Sequence, residues 1–336
     1  MYTLADTGAN NFVVQSSLLP KNLQSNIPIY DPKKSSTARQ LPGYTYSEGF
    51  NDYQDNGVVY NDVVTFGGVK FQNISVCTMT NATRASGDNS RAGNFGLDLT
   101  QVQSTNPAGT VKSFMYAIRS VLDGKQHPPD LSILSSATPA DHSIAGILSI
   151  TFNNTVGAES GTFDFGYVDT AKYTGSVSFA TSNDAGFFMV PAVGQYIKGV
   201  LKPANWNIIV DSGTLDSRVP ISVATAYHAQ VNGSQYNADW DLWIYPCSAT
   251  LPDFKVKLAN GITITWPGKY LKSSWQWFDN GVTCVSWLRQ GPEGSNLIVG
   301  ETFLMGNFVV FDYEKKRVGF AAKTSPGAPR GIPPTL

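Results

Sequence analysis

Two short turns, about two hundred residues apart, hold the residues of this chain that are best suited to chemistry. The first turn lies in LADTGA at residues 4–9, and the second lies in IVDSGT at residues 209–214. Each sequence places Asp-Thr-Gly or Asp-Ser-Gly directly after an apolar strand end. One such turn is a common Asx turn without chemistry. Two copies in the same setting indicate an internal repeat in which each half of the chain donates one carboxylate.

The aspartates of these turns, Asp6 and Asp211, are the predicted catalytic residues. Two carboxylates within hydrogen-bond distance cannot both ionise cheaply, so one of them keeps its proton. The ionised carboxylate can activate a water for attack on a peptide carbonyl, while the protonated one donates to the developing oxyanion. This chemistry needs no metal, no cofactor and no covalent intermediate.

The residues next to the two aspartates are predicted to support the turns. Gly8 and Gly213 let the backbone approach the opposite carboxylate closely, because glycine has no Cβ. Thr7 and Ser212 supply hydroxyls that can lock the two turns against each other.

The segments that must position these turns are mostly strands. Short β-rich runs separated by Gly, Asn, Asp and Ser predict strands, for example at residues 58–66, 70–79, 176–180, 262–266 and 308–311. Two helices are predicted at residues 110–122 and 222–231, and the second follows Pro220 with a serine cap. Both helices are expected to pack on a sheet and to carry no chemistry.

Composition and charge exclude several classes of partner. The 336 residues, 42% hydrophobic and 15% charged, can bury one large or two medium cores. A net charge of -1, from 24 basic and 25 acidic residues without a basic cluster, predicts no nucleic-acid or acidic-membrane partner. No apolar stretch approaches the roughly 20 residues that span a bilayer. Residues 1–4 are too short for a signal peptide, so we expect none in this chain.

Other catalytic systems find little support in the sequence. The three histidines, His127, His142 and His228, are scattered and lack the spacing of metal ligands. No nucleophile-elbow motif is present, and no glycine-rich phosphate loop follows a strand. Each histidine is therefore predicted to be a surface or packing residue, and no metal site is predicted.

Longer segments around the two turns add a resemblance to a known family. They are residues 6–14 (DTGANNFVV), 30–37 (YDPKKSST), 43–68, 161–179 (GTFDFGYVDTAKYTGSVSF), 245–254 (YPCSATLPDF) and 297–320 (LIVGETFLMGNFVVFDYEKKRVGF). These segments run through most of the chain. They resemble the pepsin-like aspartic proteases, most closely the fungal secreted members of that family.

The resemblance implies an all-β, bilobal, pepsin-like double-barrel fold, the acid protease fold, with a few short helices. It implies an N-terminal lobe over residues 1–180 and a C-terminal lobe over residues 181–323, with an extended peptide or protein substrate bound in the interlobe cleft. The family has some tens of residues ahead of the first aspartate, whereas five precede Asp6 here. We therefore expect the first lobe to be truncated at its start.

Two segments fall outside the family pattern. Residues 124–146 form a long connection with weak periodicity, which is unusual inside a compact domain, and we interpret it as an inserted loop or a foreign segment. Residues 324–336 are rich in Pro and Gly and are predicted to be a disordered tail.

Three cysteines, Cys77, Cys247 and Cys284, permit one disulfide and leave one thiol. The segments around Cys247 and Cys284 look like the two ends of the family's usual disulfide in the second lobe, so the resemblance implies this pair. Four glycosylation sequons suit a secretory route, at Asn73, Asn81, Asn153 and Asn232. By resemblance we expect a monomer that is secreted, extracellular or vacuolar.

The family's flap, a β-hairpin that closes over the substrate, corresponds to residues 46–60 and places Phe50, Asn51 and Asp52 against the substrate. Relatives carry a flap tyrosine whose hydroxyl bonds to a tryptophan near the first catalytic turn. In this sequence Phe50 takes the tyrosine position and Val13 takes the tryptophan position. Both ends of that hydrogen bond are therefore absent together.

Further departures lie close to the two aspartates. Ala9 replaces a serine that supports the first aspartate in relatives, while Thr214 keeps the equivalent support for the second. Relatives also thread an apolar-apolar-Gly strand behind each catalytic turn. Residues 298–300 (IVG) fit this pattern, whereas residues 94–96 (NFG) place a polar Asn94 there, whose buried amide needs partners.

A charged pair follows the second turn, where the family has apolar residues. Asp216 and Arg218 lie on the same strand face by period two, so they could form an ion pair, which is costly to bury unless it is well satisfied.

Two functional hypotheses follow from the sequence. The first is an acid-acting aspartic endopeptidase that uses the two aspartates. The second is a non-proteolytic or impaired relative whose cleft is repurposed for small-molecule chemistry or binding. The second hypothesis rests on the short N-terminus and on five residues, Phe50, Val13, Ala9, Asp216 and Arg218.

Overall fold

The computed structural model describes residues 3–50, 53–66, 69–83, 92–122, 147–155, 158–166, 168–183, 186–274 and 282–324. These residues pack into two compact units. The first unit comprises the described residues of Met1–Gly146 and Ala185–Phe187, and the second comprises those of Ile147–Asp184 and Phe188–Leu336. The predicted insertion at 124–146 lies outside the described residues, as does all but the first residue of the predicted tail.

The first unit is built on one seven-stranded sheet. Its strands are β1 (Leu4–Asp6), β2 (Phe12–Val14), β3 (Arg39–Phe50), β4 (Tyr53–Phe66), β5 (Val69–Ala82), β6 (Gly93–Gly96) and β7 (Thr105–Asn106). They follow the order β1-β6-β2-β5-β4-β3-β7 across the sheet. A single-turn 3-10 helix spans Lys21–Leu23, and helix α1 spans Phe114–Leu122.

Helix α1 packs its apolar face on this sheet through aromatic rings. Phe114 is 1% exposed, and its ring centroid lies 4.3 Å from that of Phe95 on β6. The predicted helix began at residue 110, four residues too early. Backbone pairing explains the difference, because Val102 and Lys112 form an isolated β-bridge that keeps the chain ahead of Phe114 extended.

The second unit contains the remaining sixteen strands of the described chain in three sheets. The strands are β8 (Ile147–Thr155), β9 (Ala158–Phe165), β10 (Tyr173–Thr181), β11 (Met189–Ile197), β12 (Val200–Val210), β13 (Ser217–Pro220), β14 (Gln235–Asn237), β15 (Leu242–Pro246), β16 (Phe254–Leu258), β17 (Thr263–Trp266), β18 (Lys272–Ser274), β19 (Thr283–Ser286), β20 (Leu288–Gly291), β21 (Leu297–Val299), β22 (Asn307–Asp312) and β23 (Arg317–Lys323).

The three sheets have the orders β10-β23-β22-β8-β9, β17-β16-β11-β12-β21-β13-β20 and β14-β15-β19-β18. The helices are α2 (Ile221–His228), α3 (Glu301–Gly306) and single 3-10 turns at Thr170–Lys172 and Gly268–Tyr270. The described chain is therefore dominated by strands with a few short helices, which confirms the predicted fold class.

Strands β8 to β10 pack with the second unit, although the predicted first lobe extends to residue 180. The reason is sheet pairing: β8 pairs with β22, and β10 pairs with β23, near the end of the described chain. By packing, the change from the first unit to the second therefore falls at Ile147.

The predicted strands lie where expected, whereas the second helix differs in detail. Helix α2 begins at Ile221, one residue early, and ends at His228, three residues before the predicted end. Its N-cap residue is Pro220, and no side chain caps the helix. The predicted serine cap is wrong, because the Ser222 hydroxyl donates to Glu293 instead, at 2.9 Å. The short helix α3 was not predicted.

The disulfide implied by the resemblance is present. Cys247 follows β15 and bonds to Cys284 on β19, the strand that pairs with β15. Cys77 is buried on β5, where its thiol lies 3.2 Å from the side-chain oxygen of Gln103. Among the described residues, no helix is long and apolar enough to cross a membrane.

Each unit repeats one local arrangement around its aspartate turn. In the first unit, β6 runs parallel to β1 and antiparallel to β2, with Asp6 aligned to Gly96. In the second, β21 runs parallel to β12 and antiparallel to β13. A strand therefore threads behind each turn, as the resemblance implies.

Close backbone approach explains the glycine at the end of each threading strand. A Cβ built on Gly96 would lie 2.6 Å from the carbonyl oxygen of Asn11. A Cβ built on Gly300 would lie 2.1 Å from the oxygen of Thr214 and 2.2 Å from that of Asp216. All three distances are far inside van der Waals contact, so any side chain would force the strand away from the turn.

We expect Gly300→Ala to lower the free energy of unfolding by about 1–3 kcal/mol or more, because the methyl group overpacks backbone that cannot move aside. Gly291→Ala is the matched control on strand β20 of the same sheet, where the nearest atom to an added Cβ lies 3.3 Å away on Ser295. Urea unfolding of both variants measures the difference. Equal stability of the two variants would contradict the close approach.

Candidate active site

In the first aspartate turn, each oxygen of the carboxylate accepts a hydrogen bond. Asp6 ends β1 and is 6% exposed. Its Oδ1 accepts from the backbone N–H of Gly8 at 2.8 Å, and its Oδ2 accepts from the side-chain amide of Asn94 at 2.9 Å. Its carbonyl oxygen also accepts from the N–H of Leu97, just beyond β6, at 2.7 Å. The turn is thus fixed by its own backbone and by the strand behind it.

The second turn holds Asp211 in the same way with a different second donor. Oδ1 of Asp211 accepts from the N–H of Gly213 at 2.8 Å. Oδ2 accepts from the hydroxyl of Thr214 at 2.7 Å, which is the supporting role expected for that residue. The N–H of Asp211 donates to Val299, on the threading strand β21, at 2.9 Å.

The remaining predicted turn residues lie beside these carboxylates. Gly8 and Gly213 each donate their N–H to the aspartate of their own turn. Thr7 is fully buried in the first unit, and Ser212 is 1% exposed in the second. Their roles in joining the two turns remain predictions.

The buried side-chain amide of Asn94, which needs hydrogen-bond partners, has one in the structure. The sequence showed a polar residue in an apolar-apolar-Gly strand and an alanine, Ala9, where relatives have a hydroxyl. The structure places the Asn94 amide on Oδ2 of Asp6. This contact was not predicted from the sequence, and it corresponds to the bond that Thr214 donates to Oδ2 of Asp211 in the second unit.

The predicted flap is the hairpin of β3 and β4, in which Phe50 pairs with Tyr53. Asn51 and Asp52 lie outside the described residues. Val13, at the family's tryptophan position, is fully buried in a core cluster with Tyr46 and Cys77. It therefore packs beneath the hairpin as an apolar core residue.

A hydrogen bond that was not predicted joins the flap hairpin to the segment that follows the first aspartate turn. The side-chain amide of Asn11, five residues after Asp6, donates to Oε2 of Glu48 on β3 at 2.8 Å. Oδ1 of Asn11 accepts from the N–H of Ser104 at 2.7 Å. Asn11 is 1% exposed, so this bond is shielded from water and ties the hairpin to this segment.

Glu48 faces a second acid across the hairpin. It pairs directly with Asp55 on β4, and Asp55 is 2% exposed. Burial raises the pKa of Asp55 to about 6. Burial and the negative charges of Asp55 and Asp6 raise the pKa of Glu48 to about 8, against the opposing effect of the hydrogen bond from Asn11. Both acids are therefore protonated at acidic pH in the folded protein.

The charged residues after the second turn form a larger ion-pair group than expected. Asp216 is 6% exposed and lies 3.6 Å from Nε of Arg218, consistent with the ion pair considered from the sequence. A shorter contact of 3.1 Å joins it to Nη1 of Arg289, on the adjacent strand β20. Arg289 also contacts Asp241 at 3.3 Å. The buried carboxylate is thus neutralised by two cations, and sequence reasoning missed Arg289.

The described histidine is a packing residue, as predicted. His228 is 1% exposed, stacks on Trp243 with ring centroids 4.6 Å apart, and bonds through Nε2 to the carbonyl of Leu288. Burial lowers its pKa to about 4. His127 and His142 lie outside the described residues. Within the described ranges, no group of three or more His, Cys, Asp or Glu side chains could hold a metal ion.

Comparison with known proteins agrees with the predicted fold class. The family model of the eukaryotic aspartyl proteases matches residues 2–323, so the chain belongs to that family and to its class of endopeptidase enzymes. The chain is 28% identical to penicillopepsin-1 of Penicillium janthinellum over 318 residues, which cover 94% of this chain and 89% of the relative.

Two further relatives are aspergillopepsin-1 of Aspergillus pseudoglaucus and aspergillopepsin-1 of Aspergillus oryzae. Each is 30% identical over 321 residues, which cover 95% of this chain and 74% of the relative. The resemblance described from the sequence is therefore confirmed.

The buried acids of the flap hairpin predict how stability depends on pH. The pKa of Glu48 rises from 4.5 to about 8 on folding, and that of Asp55 rises from 3.8 to about 6. Between about pH 4 and pH 8 the folded state binds more protons than the unfolded state, so the free energy of unfolding falls as pH rises. Their stabilising contribution is complete below about pH 4 and is lost toward pH 8.

We expect Glu48→Gln and Asp55→Asn each to flatten the fall in the thermal unfolding midpoint between pH 4 and 8. Glu293→Gln is the control. The pKa of Glu293 is lowered by hydrogen bonds from Ser222, so above about pH 5 this carboxyl is ionised in both states. A parental slope in Glu48→Gln would show that Glu48 does not titrate as described.

Proposed function

We propose that this aspartic protease is an endopeptidase that hydrolyses peptide bonds at acidic pH, with Asp6 and Asp211 as its catalytic pair. The observation that supports this most strongly is the matched support of the two carboxylates. In each unit one carboxylate oxygen accepts from the glycine N–H of its own turn, and the other accepts from a side-chain donor.

The proposed mechanism follows from the chemistry of two adjoining carboxyls that share one proton. The ionised carboxylate takes a proton from water as that water attacks the peptide carbonyl. The protonated carboxyl gives its proton to the developing oxyanion. When the intermediate collapses, the carboxyl that took the proton of the water passes it to the leaving nitrogen, and a hydroxyl of the intermediate returns a proton to the other carboxyl. Acidic pH favours this state, because one proton must remain on the pair.

The substrate is proposed to be a peptide or protein segment lying beneath the hairpin of β3 and β4. Phe50, Asn51 and Asp52 are the proposed contacts of that hairpin with the substrate. Thr7 and Ser212 are proposed to lock the two turns together. We propose that the protein acts as a monomer.

A secretory route is supported by two observations. A disulfide joins Cys247 and Cys284, and disulfides persist in oxidising compartments. Three of the four sequon asparagines, Asn73, Asn81 and Asn232, are exposed, as glycosylation requires. The proposal therefore places the protein outside the cell or in the vacuole.

Cleavage of a denatured protein at about pH 3–5 tests this function. We expect Asp6→Asn and Asp211→Asn each to lower kcat/KM by about 10²–10⁴-fold, because each removes a general acid or base. A statine-type inhibitor should abolish the parental activity. Asp239→Asn, at an exposed aspartate outside both turns, is the control and should retain activity.

A folded parent without turnover would contradict the endopeptidase proposal. It would favour the second candidate, a non-proteolytic relative whose cleft binds or transforms a small molecule. The burial of Val13 in the core supports that candidate, because Val13 offers no polar partner to the flap.

A further inference from the structure

In the two units, different residue types donate the hydrogen bond to Oδ2 of the aspartate. Oδ2 of Asp211 receives its hydrogen bond from the Thr214 hydroxyl, three residues along its own turn. The corresponding residue of the first turn is Ala9, which has no hydroxyl and is 8% exposed. Oδ2 of Asp6 receives its hydrogen bond from Asn94, on the strand behind the turn.

Strand register shows that Asn94 occupies a matched position in the repeat. On β6, Asn94 pairs with Leu4 on one side and Val13 on the other. On β21, Ile298 pairs in the same way with Ile209 and Arg218. The second unit therefore combines a turn hydroxyl with an apolar strand residue, and the first unit combines a turn methyl with a strand amide.

The orientation of the Asn94 amide is set by the carboxylate. The NH₂ group can only donate, so it faces an unprotonated oxygen of Asp6. A flipped amide would place Oδ1 of Asn94 against a carboxylate oxygen, where two acceptors repel. Oδ1 is buried and has no hydrogen-bond partner within the described residues. A buried acceptor without a partner is destabilising, so packing alone does not account for an asparagine at this position.

We propose that Asn94 is a positioning residue for Asp6, which replaces the absent turn hydroxyl and favours the ionised form of this carboxylate. The inference rests on the proposed function for its effect on turnover. Its effect on the ionisation of Asp6 does not depend on turnover.

Other charges act on Asp6 and must be held constant in the test. Glu48, on β3, interacts electrostatically with Asp6. Asp211 is its partner in the proposed catalytic pair. β6 and β2 carry no titratable side chain, so Asn94 is a neutral donor that can be changed without altering the charge of the site.

The test moves the arrangement of the second unit into the first. Asn94→Leu removes the amide with little change of volume, and Ala9→Ser adds the hydroxyl. We expect Asn94→Leu to lower kcat/KM by about 10- to 100-fold. In the pH profile of kcat/KM, we expect the acid limb to move upward by about one pH unit, because the ionised form of Asp6 loses one hydrogen bond. Adding Ala9→Ser to Asn94→Leu should restore most of the lost kcat/KM and reverse most of the shift of the acid limb.

Asn10→Leu is the matched control. Its amide donates to the carbonyl of Val102 and the hydroxyl of Ser104, not to Asp6. This variant should keep the parental acid limb. Rescue by Ala9→Ser separates positioning from packing, because a residue needed only to fill space would not be replaced by a hydroxyl on the turn.

A readout without turnover keeps the inference distinct from the proposed function. Carbon-13 NMR of labelled aspartate carboxyls, with the Asp6 signal assigned by Asp6→Asn, follows ionisation directly. Asn94→Leu should move the Asp6 midpoint upward by about one pH unit even if the protein cleaves no peptide. A midpoint and an acid limb equal to the parental values would overturn the proposal. So would a failure of both Asn94→Leu and the double variant to fold, since Asn94 would then be purely structural.

Discussion

The structure depends on hydrogen bonds that support two carboxylates, of which Asp6 is buried and Asp211 is partly buried. An ionised acid is stable there only if hydrogen-bond donors replace the lost water. The protein meets this requirement once in each unit, with a glycine N–H on one oxygen of the aspartate and a side-chain donor on the other. This arrangement depends on the two turns and on the strands behind them. It also depends on the glycines at the ends of those strands.

Close packing of backbone makes that support rigid. β6 and β21 approach their turns so closely that Gly96 and Gly300 leave no room for a Cβ. The same approach brings the Asn94 amide within reach of Asp6 in the first unit. A second set of acids, Glu48 and Asp55, couples the flap hairpin to pH, because the folded state binds more protons than the unfolded state between about pH 4 and pH 8. The hairpin is thus most stable in the acidic range, in which the shared proton proposed for Asp6 and Asp211 would also be favoured.

Local sequence patterns predicted much of this arrangement. The aspartate turns follow from short motifs, the strands from β-rich runs, and the disulfide from the family resemblance. Pairing across strands was harder to predict, because partners distant in sequence are set by register. The contacts of Asn94 with Asp6, Asn11 with Glu48 and Asp216 with Arg289 are all of this kind. The late start of α1 has the same origin, since pairing with residues 101–103 competes with the helix.

The most direct measurement is a crystal structure of the protein with a statine-type inhibitor bound at acidic pH. The account predicts that the inhibitor hydroxyl lies within hydrogen-bond distance of both Asp6 and Asp211, with the Asn94 amide still donating to Asp6. A hydroxyl that reaches only one of the two carboxylates, or an inhibitor bound away from both turns, would contradict the shared-proton pair.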